Sequence, residues 1–314
     1  MVAFLTSLLK VAIMLILIAV GWILSKKEMI SDKGSKDITN LLVYIVAPCL
    51  TISSFANADT STVTGRNLVL SLVGAIAAMG LAIAISFLFY GKAADEAKRV
   101  IRFSIVFSNC GFMGMPLVQS IIGNQAVVYC TLFIGVFNFL SWTYGYTMMS
   151  TGNTSFKDTL KKAILNPGTI GLAAGLAVFF LKLKLPEVIE APITYFGALN
   201  TPLAMVIVGN NISKVRFRDI LTDKRVYIVS FIRLVIAPAL VLPVLCLLGS
   251  EHDVFLTTVL QAAAPVAANS VIFAVMFGRD AKLASKLVAG STILSLITIP
   301  IFTMLSEELI RIFC

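Results

Sequence analysis

The chain has 314 residues, 58% of them hydrophobic and only 13% charged, with 25 Lys and Arg against 16 Asp and Glu. Roughly a quarter of an ordinary soluble domain is charged, so a cytosolic enzyme of the usual kind is excluded and the solvent for most of this chain is lipid. The formal charge of +9 would suit nucleic acid in a soluble protein, but here the basic residues lie mainly between apolar runs, where they set membrane orientation, and no nucleic-acid partner is expected.

About 20 apolar residues cross a bilayer as a helix, which leaves room for ten spans and no sizeable soluble domain. The apolar runs place them near residues 4–24, 38–57, 68–90, 103–122, 126–149, 166–181, 191–211, 226–248, 254–277 and 287–305. The first, Phe4 to Leu24, is interrupted only by Lys10. It is longer than a signal-peptide core and has no basic region before it and no small-residue cleavage pattern, so it reads as a retained span. Lys10 lies close enough to the outer end to snorkel. The second span starts with polar residues and carries Pro48, and the third has no acidic residue between Asn67 and Phe89.

In the fourth span Asn109, Gly111, Gly114 and Pro116 fall within eight residues, at the expected middle of the membrane. The sixth is short and opens with Asn166-Pro167-Gly168, where Pro167 suits a first helical turn. Pro202 lies in the seventh. Arg233 stands in the eighth, roughly 12 Å from its start at 1.5 Å per residue, where it either attracts an anion, holds the span to a neighbour or snorkels back to the surface. The ninth reads Gln261-Ala-Ala-Ala-Pro265-Val-Ala-Ala-Asn269-Ser270.

Lys and Arg alternate sharply between loops. Those after spans 1, 3, 5, 7 and 9 hold 19, and those after spans 2, 4, 6 and 8 hold only Arg66, Lys182 and Lys184. The asymmetry puts the odd loops in the cytoplasm and both termini outside. Five spans before the loop at 150–165 and five after it force the second half to enter from the opposite side, an inverted repeat with halves at 1–152 and 153–314.

The halves also place prolines alike, Pro48 with Pro202 and Pro116 with Pro265. Proline removes a helical hydrogen bond, so in lipid it is tolerated where protein or a wet cavity re-satisfies the backbone. Paired breaks in corresponding spans are the sequence mark of a transporter site. Each break offers amides that attract an anion and carbonyls that, with Gln261, Asn109 and Ser270, suit hydrogen bonding or a cation.

Other chemistries find no support. The five cysteines are odd in number and show no CxxC, so neither a disulfide framework nor a zinc site is indicated. No metal or cofactor is expected. No Asp or Glu lies near the centre of a span and the single His252 falls in an outer loop, which argues against a carboxylate proton relay. Neither an ATP-binding GxxxxGK[ST] nor HExxH, paired membrane aspartates or a GxSG-like nucleophile occurs, so the chain is not read as an enzyme or a pump.

Asn109, Met113-Gly114, Pro116-Leu117 and Gly123 in and after span 4, Leu165-Asn166-Pro167 with Gly175 and Leu185-Pro186, Thr201-Pro202-Leu203-Ala204-Met205 through Val208-Gly209, Arg233 with Ala237-Pro238, and Ala262-Ala263-Ala264-Pro265 with Ile272-Phe273-Ala274 follow one another in order. This series resembles the auxin efflux carrier family, which includes the plant PIN proteins and bacterial malonate and malate permeases. The resemblance runs the whole length. It implies an all-α membrane protein of two inverted five-helix repeats, with spans 1, 2, 6 and 7 as a scaffold that often dimerises and spans 3–5 and 8–10 as a moving transport domain. It implies a bacterial inner (plasma) membrane and a carboxylate substrate where helices 4 and 9 cross, beside Asn109, Pro116 and Pro265.

Two departures matter. The long cytoplasmic loop of many plant members shrinks to about 15 residues, and the acidic residue sought in the third helix as a proton-coupling element has no counterpart. The expected function is a secondary transporter of small organic anions by alternating access, binding through Asn109, Gly111, Gly114, Pro116, Gln261, Pro265, Asn269, Ser270 and Arg233. The alternatives are a sodium-coupled symporter of the bile-acid carrier type, which sodium dependence of uptake would reveal, and a receptor that binds without translocating.

Overall fold

The computed structural model describes residues 2–58, 63–91, 95–150 and 156–313. Lys92, Cys314 and the 152/153 boundary between the expected halves lie outside them. Among the described residues all regular secondary structure is helical, apart from one isolated β-bridge. In order the helices are α1 (Val2–Lys26), α2 (Asp32–Ala56), α3 (Gly65–Tyr90), α4 (Glu96–Val106), α5 (Cys110–Ile121), α6 (Asn124–Met149), α7 (Phe156–Ile164), α8 (Pro167–Phe180), α9 (Glu187–Ser213), α10 (Phe217–Thr222), α11 (Lys224–Leu247), α12 (His252–Ala263), α13 (Asn269–Met276) and α14 (Ala281–Phe313).

Among the described residues seven helices, α1, α2, α3, α6, α9, α11 and α14, are long and apolar enough to cross a bilayer, and α5 and α8 are shorter apolar helices. The three other expected spans are not continuous long helices. Residues 103–122 hold the end of α4, a break and α5, and residues 254–277 hold α12, a break and α13. Residues 166–181 form α8, whose 14 residues reach about 21 Å at 1.5 Å each.

Short side chains start two of the helices, one of them at the Asn166-Pro167-Gly168 opening read from the sequence. Thr64 Oγ1 accepts from Asn67 N at 3.2 Å, and Asn166 Oδ1 accepts from Gly168 N at 2.9 Å with Pro167 in the first turn. Each cap satisfies one of the amides a helix start leaves free. At the other pole, Arg99 donates to Met148 O at 2.7 Å and Ser150 O at 2.9 Å, and Arg279 to Met149 O at 3.0 Å, so two cations sit on the carbonyl end of α6.

Prolines are carried in a way the sequence did not suggest. Three π-turns, Leu42–Val46, Cys110–Gly114 and Ile232–Ile236, each stop immediately before an X-Pro pair. Ala47, Met115 and Ala237 donate five residues back, to Leu42, Cys110 and Ile232, and the widened turn moves a carbonyl out of the way of the following ring. Hence α2 runs through Pro48 without a break. Near Pro116 the interruption lies at residues 107–109, ahead of the π-turn, and near Pro202 it is a single-residue turn at Leu199 within α9. Only Pro265 lies inside a full break.

Glycines set the closest packing. A Cβ on Gly21 would collide with the Val206 backbone, and one on Gly209 with the Ile18 carbonyl, so α1 and α9 meet backbone to backbone. Gly171 of α8 lies against Pro48 and Gly197 of α9 against Leu50, which packs α8 and α9 on α2. The remaining long helices surround α12, which is buried along its whole length from Val254 to Ala263. Outward-facing side chains are apolar, with Ile16, Val188 and Leu247 among the most exposed. That is the exterior lipid requires.

At the pole where α12 begins, His252 Nδ1 lies 2.9 Å from Asp253 and Nε2 3.2 Å from Glu307 of α14, while neighbouring Glu251 pairs with Arg66 and Asn67. Asp253 and Glu307 hold the imidazole above the usual histidine value. A raised pKa means that the stabilisation is fully present below the ordinary value near 6.5 and is lost as pH rises through the folded value. His252 is 46% exposed, so the expected effect is small, about 0.5 kcal/mol. In detergent, His252→Gln is expected to lower the melting temperature at pH 5.5 and to leave it unchanged at pH 8.5. An equal loss at both values would remove the charge from the account.

Candidate functional site: a cavity at two crossed helix breaks

The α4 ladder ends at Phe107, which still donates to Phe103 O at 3.0 Å and then turns extended, at φ −99° and ψ 113°. Asn109 restarts the helix, its carbonyl accepting from Met113 N at 3.1 Å and Gly114 N at 2.9 Å. In the other break Ala264 is extended, at φ −61° and ψ 146°, as steric conflict with a following proline demands. There α13 restarts as Ser270 N and Val271 N donate to Ala267 O and Ala268 O.

The two breaks satisfy each other. Asn109 N donates to Pro265 O at 2.7 Å and Ala267 N to Phe107 O at 2.9 Å, which makes Ser108 and Val266 an antiparallel bridge. Val266 N is taken by Ser291 Oγ at 3.0 Å. Irregular backbone at membrane depth is tolerable only with such internal partners. Phe103 and Phe107 lock the arrangement through ring contacts, Phe103 also lying 5.0 Å from Phe273 of α13.

The helix ends are treated unequally. At the carbonyl end of α12, Arg233, a residue only 3% exposed, donates to Ala262 O at 2.6 Å. At the amide ends of α5 and α13 no side chain forms a capping hydrogen bond. Both amide ends border one cavity of about 290 Å³. Six asparagines, Asn40, Asn109, Asn138, Asn166, Asn200 and Asn269, line it together with Phe112, Phe137, Trp142 and Phe273. No Asp, Glu, His, Lys or Arg is among its lining residues. Helix amide ends and neutral donors favour negative charge, and the rings supply an apolar wall.

Of the residues chosen from sequence, Asn109, Gly111 and Asn269 line this cavity. The others stand behind it. Gly114 leaves the space that the Gln261 side chain fills, since a Cβ there would collide with Gln261 Oε1. Pro265 contributes its carbonyl to Asn109, and Pro116 and Ser270 are buried. Arg233 neither snorkels nor lines the cavity, because Ala262 holds it behind the crossing. Sequence reading passed over Asn138 and Asn200 and took Asn166 only as a helix start. Their signal was a lone amide inside or at the mouth of an apolar run.

A second cavity of about 200 Å³ is lined by Ser53 and Asn57 late in α2, Gln119 of α5, Asn124 and Gln125 at the start of α6 and Thr194 early in α9, among others. Gln119, in the wall of this second cavity, accepts from Thr201 Oγ1 of α9 through its Oε1 at 3.3 Å.

Comparison with known proteins agrees over most of the chain. A family model described as "Membrane transport protein" matches residues 6–303. A protein of Methanothermobacter thermautotrophicus named "Uncharacterized transporter" is 24% identical over 293 residues, covering 92% of this chain and 95% of its own. A Rhizobium meliloti protein named "Putative malonate transporter" is 24% identical over 270 residues, covering 83% of this chain and 84% of its own.

Proposed function

The chain belongs to the membrane transport protein family, and from that premise we propose that it is a secondary transporter of small organic anions working by alternating access. It is an integral membrane protein, with seven long apolar helices among its described residues. One observation carries the substrate class: two uncapped helix amide ends border a single cavity that has asparagines and aromatic rings in its wall and no acidic side chain. Such a site takes a carboxylate and gives an apolar body a surface to rest on. The name of the Rhizobium meliloti relative points to malonate.

In this reading α4 with α5 and α12 with α13 are the fourth and ninth of ten spans, and α8 is the sixth. The spans form two inverted halves, and the loops rich in Lys and Arg face the cytoplasm. The helices α1, α2, α8 and α9 make the fixed wall, and the others carry the crossing past it. The large cavity is bordered by the early part of α2, the start of α8 and α13, all on the basic-loop side, and therefore opens to the cytoplasm. The second cavity, bordered by the end of α2, the start of α6 and the early part of α9, lies in this reading on the outer half of the same seam.

The test is reconstitution of the purified protein in liposomes, with uptake of radiolabelled malonate, malate and indole-3-acetate measured under imposed proton, sodium and voltage gradients. Saturable flux of at least one acid is expected, without a requirement for sodium. A strict sodium requirement would replace this reading with a symporter. Folded protein with no flux under any gradient, yet with retained binding, would make it a receptor.

A further inference from the structure

We propose that Asn200, on the α9 wall, donates its side-chain amide to the substrate carboxylate, so that bound substrate joins the fixed wall to the crossed breaks. The inference rests on the carboxylate reading above and adds a residue that neither the proline pattern nor the crossing itself indicates.

Three observations converge. Asn200 is 3% exposed and lines the large cavity that the amide ends of α5 and α13 also border. Its Nδ2 is fully buried and has no hydrogen-bond partner, whereas buried donors in folded proteins are nearly always paired, because an unmade bond carries the full desolvation cost. Its backbone position is also fixed. Asn200 follows the turn at Leu199, where α9 restarts, and the next residue, Thr201, is already tied across the seam to Gln119.

Turned about its last side-chain bond toward the cavity, this unsatisfied N–H adds a third donor to a wall that already holds two helix amide ends. The ligand that satisfies all three is an acceptor with several lone pairs and negative charge, which a carboxylate is. The breaks alone could hold an anion equally well in any position of the moving part. A donor on α9 makes binding strongest when the crossing stands level with Asn200, and so couples occupancy to one arrangement of the two walls.

The experiment compares the full-length wild type with Asn200→Ala and Asn200→Asp in detergent, reading the melting temperature and the dissociation constant for radiolabelled malonate and indole-3-acetate. The Ala variant is expected to melt no lower than wild type, since it removes an unsatisfied donor, and to bind at least one acid about 10- to 100-fold more weakly, the loss of one charge-assisted hydrogen bond. The Asp variant, with acceptors only, is expected to bind more weakly still. Wild-type affinity in Asn200→Ala would overturn the proposal, as would a lower melting temperature together with unchanged affinity in Asn200→Asp. If folded wild type binds neither acid, the carboxylate reading itself fails, and the wild-type measurement alone decides that.

Discussion

Asn109→Ala is expected to reduce uptake in liposomes at least about 100-fold while the protein still inserts and melts close to wild type. The main chain of Asn109 makes the crossing, donating to Pro265 O and accepting from Met113 N and Gly114 N. Alanine keeps all three bonds. What it removes is the cavity-lining amide beside the α5 amide end, at the point where the anion should be bound. A single lost donor in a water-poor site costs about 10²–10³ when the interaction is needed at the top of the barrier. Asn109→Asp should be equally inactive for a different reason, since a carboxylate there satisfies the amide ends itself and repels the substrate. Uptake by Asn109→Ala above one tenth of wild type would separate the crossing from the binding site.

The second large effect is expected at Arg233. Replacement by Met should weaken carboxylate binding about 10- to 100-fold without lowering stability. Arg233 is buried with its Nε unpaired, and its one hydrogen bond goes to Ala262 O. An isolated buried charge is costly, and apolar replacements of similar volume are often neutral or stabilising. The charge is therefore better explained by what it does for an anion one helix layer away than by what it does for the fold. Arg233→Lys should recover part of the affinity, because the charge remains while the planar fork is lost. Lower stability with unchanged affinity would reduce Arg233 to a cap on α12.

The long helices were legible because lipid imposes one rule, about 20 apolar residues with few charges, and α1, α3, α6 and α11 obey it plainly. The crossing was legible because Asn109, Gly111, Gly114 and Pro265 offend that rule in pairs. Where the chain interrupts itself was harder to see. Proline announces a missing donor, and a widened turn resolves the conflict locally at Pro48 and Pro116, but no residue type announces a π-turn. The break at residues 107–109 contains no proline at all. Its partner, the Pro265 carbonyl and the Ala267 amide, is more than 150 residues away, and such pairing has no local signature. Asn138 and Asn200 show the other blind spot, since one amide in an apolar run signals a cavity only when its neighbours across the fold are known.

For a carrier of organic anions, a cavity with no Asp, Glu, His, Lys or Arg among its lining residues has an electrical consequence. Over one full cycle the charges fixed in the protein, Arg233 included, return to where they began, so the net charge moved is that of the cargo and any ion travelling with it. An inside-negative potential of about 100 mV is worth about 2.3 kcal/mol per elementary charge, a factor of about 50 in the concentration ratio it can sustain. A monocarboxylate travelling alone is thus pushed out of the cell, and a dicarboxylate carrying two charges is pushed twice as hard. In an energised membrane the resting voltage makes such a carrier an exporter, and import demands either a steep inward gradient of the acid or a companion cation.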